Sequence, residues 1–204
     1  MRKCYCSSCT VIRAMVLVAI VVAATFSGRA QDDVYQLSFY ANANSQISDQ
    51  TINILNPGWQ GAPLSADHGT VCADIYVFDA NQELETCCAC RISANGILTL
   101  SLRLNLLPAA AFPGGRRPDT GVIKIVSDAL ANCNATHPNP VPQLRTSMTH
   151  LELAPPLNLF RIANSESDVP FADSFLSQEE LVSLAQRCHK AAGTKRVCLC
   201  PASS

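Results

Sequence analysis

Two short groups of cysteines are the residues whose spacing best suits chemistry in this 204-residue sequence. The first is Cys87-Cys88-Ala89-Cys90 and the second is Cys198-Leu199-Cys200. Sulfurs this close in sequence can form disulfides, bind a soft metal ion or exchange disulfides with another thiol. Structural zinc sites favour about two to four residues between paired cysteines, and neither the Cys88/Cys90 pair nor the Cys198/Cys200 pair has that spacing. We therefore favour disulfides and keep a metal site formed by Cys88, Cys90, Cys198 and Cys200 as the weaker alternative.

The cysteine count also favours disulfides. Three of the 11 cysteines lie in the first ten residues, and an even number follows. An even cysteine count is typical of disulfide-bonded chains that are exported to an oxidising compartment. Thiolates would tend to oxidise there. The disulfide candidates are Cys72, Cys87, Cys88, Cys90, Cys133, Cys188, Cys198 and Cys200.

Strand geometry suggests which cysteines pair. Residues two apart in a strand point to the same face, so one Cys-x-Cys doublet can face another. We expect Cys198-Leu199-Cys200 to tie the C-terminal tail to the Cys87–Cys90 group. A hairpin turn after Asp79 would place Cys72 near that group, opposite Ala89 or opposite Cys90 according to the loop length. Cys133 and Cys188 are then left to pair with each other.

The N-terminus has the pattern of a secretory signal. Residues 1–13 carry three cations, and an apolar run, MVLVAIVVAAT, follows from Met15 to Thr25. Small residues at Gly28 and Ala30 then predict cleavage after Ala30. The run is shorter than the roughly 20 residues that a membrane-spanning helix needs. We therefore expect residues 1–30 to be a signal peptide, with no membrane span after cleavage and a secreted, periplasmic or cell-surface protein.

The charge balance argues against nucleic acid as a partner. Four of the 15 Lys and Arg side chains lie in residues 1–30, and none of the 16 acidic ones does. The remaining chain therefore has 11 basic and 16 acidic side chains. Nucleic-acid binding depends on clustered cations, and an acidic body does not supply them.

Other chemistry-bearing residues form no local catalytic motif. Neither Gly-x-Ser-x-Gly nor His-Glu-x-x-His is present, and His68, His137 and His150 are scattered. The segment 79–83 has an oxygen-bearing side chain at every second position, as calcium loops begin, but it lacks the glycine and distal glutamate of the full loop. A plain turn is favoured there, with a weak calcium site of another geometry as the alternative. The sequence assigns no catalytic residue and no cofactor.

Alternating apolar residues predict a scaffold of short strands. Thr70–Leu106 is interpreted as three consecutive strands, and its last part, Leu98 to Leu106, has the most regular leucine alternation. The other predicted strands are 32–40, 51–55, 121–126, 144–153 and a short one at 158–162. Seven to nine short antiparallel strands separated by turn signals indicate an all-β sandwich.

The C-terminal part changes to a helical period. Ser177 and Glu180 form a capping-box pattern, and apolar residues then follow at helical spacing as far as Cys188. Gly193 is a helix stop signal. We therefore expect one C-terminal helix at about 177–191, with Cys188 on its buried stripe, held to the sandwich by disulfides.

Three strings in this sequence resemble uncharacterised exported bacterial proteins. They are CADIYVFD at 72–79, QELETCCAC at 82–90 and GVIKIV at 121–126, together with the C-terminal Cys-x-Cys. The resemblance covers most of the chain after residue 30. It implies export and a single domain over residues 31–204, and it implies no catalytic residue.

Together these features favour an exported non-catalytic module, namely a cell-surface or extracellular structural, adhesion or binding protein. Its partner would be a surface or matrix component, or a second copy of itself, since exposed strand edges can add to another chain. An exported hydrolase without a recognisable motif and a protein that handles metal or redox equivalents through its cysteines are the alternatives.

Overall fold

The computed structural model describes residues 35–44, 49–58, 69–129, 133–153 and 164–201. The predicted signal peptide at 1–30, the predicted strand at 158–162 and His68 lie outside these residues. Within them, no helix is long and apolar enough to cross a membrane.

Nine strands and one α-helix make up most of the described chain. In order, the strands are β1 (Tyr35–Tyr40), β2 (Thr51–Leu55), β3 (Val71–Asp79), β4 (Leu84–Ile92), β5 (Ile97–Ser101), β6 (Gly121–Ala129), β7 (Arg145–Leu153), β8 (Asn164–Pro170) and β9 (Ala172–Asp173). A π-helical turn (Leu102–Leu106) follows β5, and two short 3-10 turns (Ala109–Ala111 and Pro113–Gly115) precede β6. The helix, α1, spans Gln178–Gly193.

The strands form two antiparallel sheets. The five-stranded sheet has the order β4-β3-β6-β1-β9, and the four-stranded sheet has the order β5-β2-β7-β8. One apolar core contains residues from both sheets, including Ile75 and Ile123 from the first and Ile52 and Met148 from the second. The predicted β-sandwich with a C-terminal helix is confirmed.

The five-stranded sheet is covered on both faces. Its inner face packs against the other sheet, and its outer face carries a second cluster in which Tyr76 and Val126 pack with Leu184 and Cys188 of α1. This explains why β3 is buried along nearly its whole length, because a strand with both faces covered needs bulk at every position.

The helix begins as the sequence predicts. The side chain of Ser177 accepts a hydrogen bond from the backbone N–H of Glu180 at 3.1 Å and so caps the first turn. The Glu180 side chain turns to the sheet instead, where it pairs with Lys124 of β6. One capping residue therefore fixes where the helix starts, and the other fastens the helix to the sheet.

The prediction of a strand through Leu106 is wrong beyond Ser101. The Ser101 hydroxyl accepts a hydrogen bond from Leu104 N–H, and the Ser101 N–H donates to the Asn105 side chain. These bonds bend the chain into the π-helical turn. Leu102 and Leu106 are buried by this turn, whereas Leu104 is 70% exposed. A strand would have placed all three leucines on one face.

A close approach of three strands occurs at the start of β6. The Tyr40 hydroxyl donates a buried hydrogen bond to the Phe78 carbonyl at 3.0 Å. Gly121 lies against both groups, so a Cβ at this position would collide with the Phe78 oxygen. The sequence therefore needs glycine here for lack of space.

Candidate functional site

All eight candidate cysteines are in disulfides. The pairs are Cys72–Cys133, Cys87–Cys188, Cys88–Cys198 and Cys90–Cys200, with Cα–Cα distances of 5.3–5.7 Å. The Cys-x-Cys doublet of β4 does bind the Cys-x-Cys doublet of the tail, as expected. The expected Cys133–Cys188 pair is wrong.

Register and face explain the wrong pair. A bulge between Val77 and Phe78 shifts β3 against β4, so Cys72 lies opposite Arg91 and not opposite Ala89 or Cys90. Cys72 therefore lies past the Cys87–Cys90 group of β4 and pairs with Cys133 instead. Cys87 points to the outer face, where α1 packs, and takes Cys188.

The C-terminal tail, residues 194–201, fills the space beside β4. Val197 forms a parallel bridge with Cys87, and Cys198 N–H donates to the Cys87 carbonyl. On its other side, Leu199 exchanges hydrogen bonds with Asn105 of the π-helical turn. The tail thus links an edge strand of one sheet to the turn that continues an edge strand of the other. It covers the edge of β4, whose unpaired backbone groups would otherwise be open to another strand.

The sulfurs of the tail disulfides form one compact group. Cys88 Sγ and Cys90 Sγ are 3.9 Å apart because both residues lie on the inner face of β4. The sulfurs of Cys88, Cys90 and Cys200 all lie within 4.8 Å of one another. Metal ions bind thiolates, whereas these sulfurs are held in the Cys88–Cys198 and Cys90–Cys200 disulfides. Metal binding here would first require reduction.

The 79–83 segment forms a turn held by its own side chains. Asp79 Oδ1 accepts hydrogen bonds from the N–H groups of Asn81 and Glu83, at 2.9 and 2.8 Å. Carboxylate oxygens of Asp79, Glu83 and Glu85 lie within 4.8 Å of one another, but Glu85 also pairs with Arg196 at 3.2 Å. The geometry fits the plain turn that the sequence favours.

A buried pair of carboxyl groups lies on the outer face of the five-stranded sheet. Asp74 of β3 is fully buried, and Asp128 of β6 is 3% exposed. Asp128 Oδ1 accepts a hydrogen bond from Asn139 N–H at 2.6 Å. Within the described part of the chain, no donor reaches either oxygen of Asp74. Two carboxyl groups can bond to each other only if one of them carries a proton.

The environment places that proton on Asp74. Burial, followed by the charge of Asp128 and a hydrogen bond to it, raises the pKa of Asp74 to about 8. Burial also raises the pKa of Asp128, but backbone N–H groups of Asn139 and Ala129 favour its ionised form. Such a split between two carboxyls occurs in aspartic proteases. Here both groups are inaccessible, so the pair has no room for a substrate.

A small cleft lies between α1 and the sheet. Lys124 Nζ is 2.5 Å from Glu180 Oε1, which also accepts a hydrogen bond from the Tyr35 hydroxyl at 3.1 Å. Partial burial raises the pKa of Glu180, but the hydrogen bond and charge of Lys124 outweigh it and hold this pKa below its usual value. Lys124 Nζ and Arg187 Cζ also lie over the Phe78 ring, at 5.0 and 5.7 Å from its centroid. With a volume of about 270 Å³, the cleft falls below the usual size of a ligand pocket. Its charges are used to attach the helix.

The outer face of the four-stranded sheet is different, because no described element covers it. Its outward positions are mostly hydroxyl, amide and charged residues: Thr51, Asn53, Thr99, Ser101, Arg145, Ser147, Thr149 and Asp168. Several are neighbours across strands, such as Thr99, which donates to Asn53 Oδ1 at 2.9 Å. One end carries the exposed apolar pair Leu55 and Ile97. The result is a polar face with an apolar margin.

The described histidines do not come together. His137 lies on an exposed loop, where its Nδ1 is 2.7 Å from the Thr136 hydroxyl. His150 is buried in β7 and stacks with Phe39 at a centroid distance of 4.5 Å. His189 is exposed on α1. The three described histidines therefore lie in three different places and do not form a common catalytic pocket.

The fold and site together define a disulfide-tethered β-sandwich. In its five-stranded sheet, a helix covers the outer face and the C-terminal tail covers the edge of β4. Family models, curated proteins and solved structures gave no match to this chain.

The buried acids Asp74 and Asp128 were not predicted from the sequence. Asp74 is the single charged residue inside the run Val71–Phe78, and that run carries bulk on both faces. A charged residue at a position with both faces covered is itself a signal, since buried carboxyls are rare unless paired.

Proposed function

We propose that this chain is an exported, non-catalytic binding module, and that the outer face of the β5-β2-β7-β8 sheet is its contact surface. The observation that carries the proposal is the contrast between the two sheets. The five-stranded sheet has its outer face sealed by α1 and the edge of β4 sealed by the tail. The four-stranded sheet has a polar outer face that no described element covers.

The chemistry of the open face favours a hydrated, polar partner. Hydroxyl and amide groups are repeated across neighbouring strands, so they can form many weak hydrogen bonds at once, and the Leu55–Ile97 margin adds a small apolar contact. A surface-attached or matrix polymer rich in hydroxyl groups fits this pattern. The four disulfides suit an oxidising location outside the cytoplasm.

The other functions have weaker support. A hydrolase needs an accessible nucleophile or acid, and Asp74 and Asp128, two acids whose pKa values are raised by burial, are themselves buried. Metal handling needs free thiolates, and the described cysteines are all paired.

Binding to isolated cell-envelope and matrix polysaccharide tests the proposal. The processed protein should appear in the exported fraction and co-sediment with the polysaccharide. An Asn53→Lys/Thr99→Lys double variant should bind at least tenfold more weakly, because it places two bulky cations side by side on β2 and β5 of the open face. The matched control, Gln186→Lys/His189→Lys, adds two cations to exposed positions of α1 and should bind normally.

Two results would overturn the proposal. One is retention of the protein in the cytoplasm with reduced cysteines. The other is equal binding by both double variants, which would show that the open face is not the contact surface. Sedimentation velocity on the same samples identifies self-association, the remaining form of binding for this surface.

A further inference from the structure

The two tail disulfides differ in their access to solvent. Cys200 is exposed, whereas its partner Cys90 is 1% exposed. The other tail disulfide is closed at both ends, with Cys88 at 8% and Cys198 at 3%. An external thiolate can therefore reach the pair at Cys200, and thiol–disulfide exchange requires such access.

The buried sulfurs are placed for a second exchange. Attack at Cys200 releases Cys90 as a thiolate, and Cys90 Sγ lies 3.9 Å from Cys88 Sγ. The Cys88 sulfur belongs to the Cys88–Cys198 disulfide. A nucleophile held this close reacts as if at very high concentration. The Cys87–Cys188 disulfide is out of reach, because Cys87 points to the opposite face of β4.

We propose that Cys200, Cys90 and Cys88 form a thiol–disulfide exchange relay that takes electrons from an external dithiol and releases the C-terminal tail. The first thiolate of the dithiol bonds to Cys200 Sγ and breaks the Cys90–Cys200 bond. The Cys90 thiolate then bonds to Cys88 Sγ and breaks the Cys88–Cys198 bond, and Cys198 leaves as a thiolate that takes up a proton. The second thiol of the dithiol resolves the mixed disulfide and frees Cys200.

The overall change is a two-electron exchange. The dithiol becomes a disulfide, and the protein exchanges its two tail disulfides for one Cys88–Cys90 disulfide and two thiols, on Cys198 and Cys200. Cys88 and Cys90 are adjacent on one face of a strand, which brings their sulfurs together. The relay is independent of the open face of the other sheet.

Release of the tail changes the edge of the sandwich. Without its disulfides the tail is held by non-covalent contacts, among them the hydrogen bonds with Cys87 and Asn105 and the Arg196–Glu85 ion pair. The relay therefore opens the edge of β4, the strand edge that the tail covers.

Limited reduction of the fully disulfide-bonded protein tests the relay. One equivalent of dithiothreitol is added, free thiols are trapped with N-ethylmaleimide, and the linkages are mapped by mass spectrometry. The relay predicts labelled Cys198 and Cys200, a Cys88–Cys90 linkage, and intact Cys72–Cys133 and Cys87–Cys188 disulfides. Labelled Cys90 and Cys200 with an intact Cys88–Cys198 bond would overturn it, as would earlier reduction of either other disulfide.

A single substitution isolates the internal step. Cys200→Ser leaves Cys90 as a free thiol, so Cys198 should become labelled without any reductant as the Cys88–Cys90 bond forms. The matched control, Cys133→Ser, leaves a free thiol at Cys72, which does not lie beside Cys88. Release of Cys198 should be at least tenfold faster in Cys200→Ser than in the control. Equal rates, or a Cys90 thiol that never exchanges, would refute the relay, and the wild-type mapping decides if Cys200→Ser does not fold.

Discussion

Replacing Asp74 by asparagine should abolish much of the pH dependence of folding stability. Asp74 is fully buried and has a pKa of about 8 in the folded protein, because of burial and the neighbouring Asp128. In an unfolded chain an aspartate has a pKa of about 3.9. Between these two values the folded state holds a proton that the unfolded state has lost. The unfolding free energy therefore falls as the pH rises.

The size of the effect follows from the gap between the two pKa values. One proton contributes about 1.4 kcal/mol for each pH unit, so a gap of about four units gives a loss on the order of 5 kcal/mol between about pH 4 and pH 8. The stabilisation is fully present below the unfolded pKa and is lost as the pH approaches the folded pKa. Such a loss is comparable to the whole stability of many domains.

Denaturant unfolding with intact disulfides at pH 5, 6.5 and 8 measures this slope. Asp74→Asn keeps the shape of the protonated acid and can donate to Asp128, so its stability should change little across the range and should exceed the wild type at pH 8. Asp168→Asn, a change at an exposed carboxylate of β8, serves as the matched control and should keep the wild-type slope. A wild type that becomes more stable towards pH 8, or an unchanged slope in Asp74→Asn, would refute a shared proton at this pair.

The remaining predictions concern the scaffold. Gly121→Ala should destabilise the protein by several kcal/mol, because its Cβ would collide with a carbonyl oxygen of β3, an overpacking effect. Gly193→Ala is the control, since nothing lies within 4 Å of a Cβ there, and thermal unfolding should separate the two variants clearly. Ser177→Ala should cost about 1 kcal/mol through loss of the α1 cap; a melting temperature equal to that of the wild type would contradict this role.

The fold class was predictable because alternation and capping are local signals. Strands β1, β2, β3 and β6 and the start of α1 follow directly from apolar period and the Ser177 cap. The leucine run after Gly96 was misleading, because a spacing of two also contains a spacing of four, and Leu102 and Leu106 are both buried in a π-helical turn. Strand β8 has the sequence NSESDVP. It gives no apolar signal and exists as an edge strand paired with β7.

The site was only partly predictable, because disulfide pairing depends on register and on which face a helix covers. The doublet of β4 and the doublet of the tail each have two cysteines one residue apart, which point to the same face of an extended segment. Their pairing could therefore be inferred. The partners of Cys72 and Cys188 could not, since one bulge in β3 moves Cys72 by a position and only tertiary packing puts α1 over Cys87. The Asp74–Asp128 pair likewise could not be inferred, because it depends on the pairing of β3 with β6, two strands that are far apart in sequence.

The order in which the chain is made gives the tail a further consequence. Cys87, Cys88 and Cys90 are separated from their partners by 101–110 residues. At a synthesis rate of about 5–20 residues per second, three neighbouring thiols wait on the order of 5 to 20 seconds before Cys188, Cys198 and Cys200 exist. Any bond formed among Cys87, Cys88 and Cys90 in that interval must later be reshuffled. We therefore expect a chain that oxidises during synthesis to need a disulfide isomerase, and a label attached after residue 201 to slow formation of the tail disulfides.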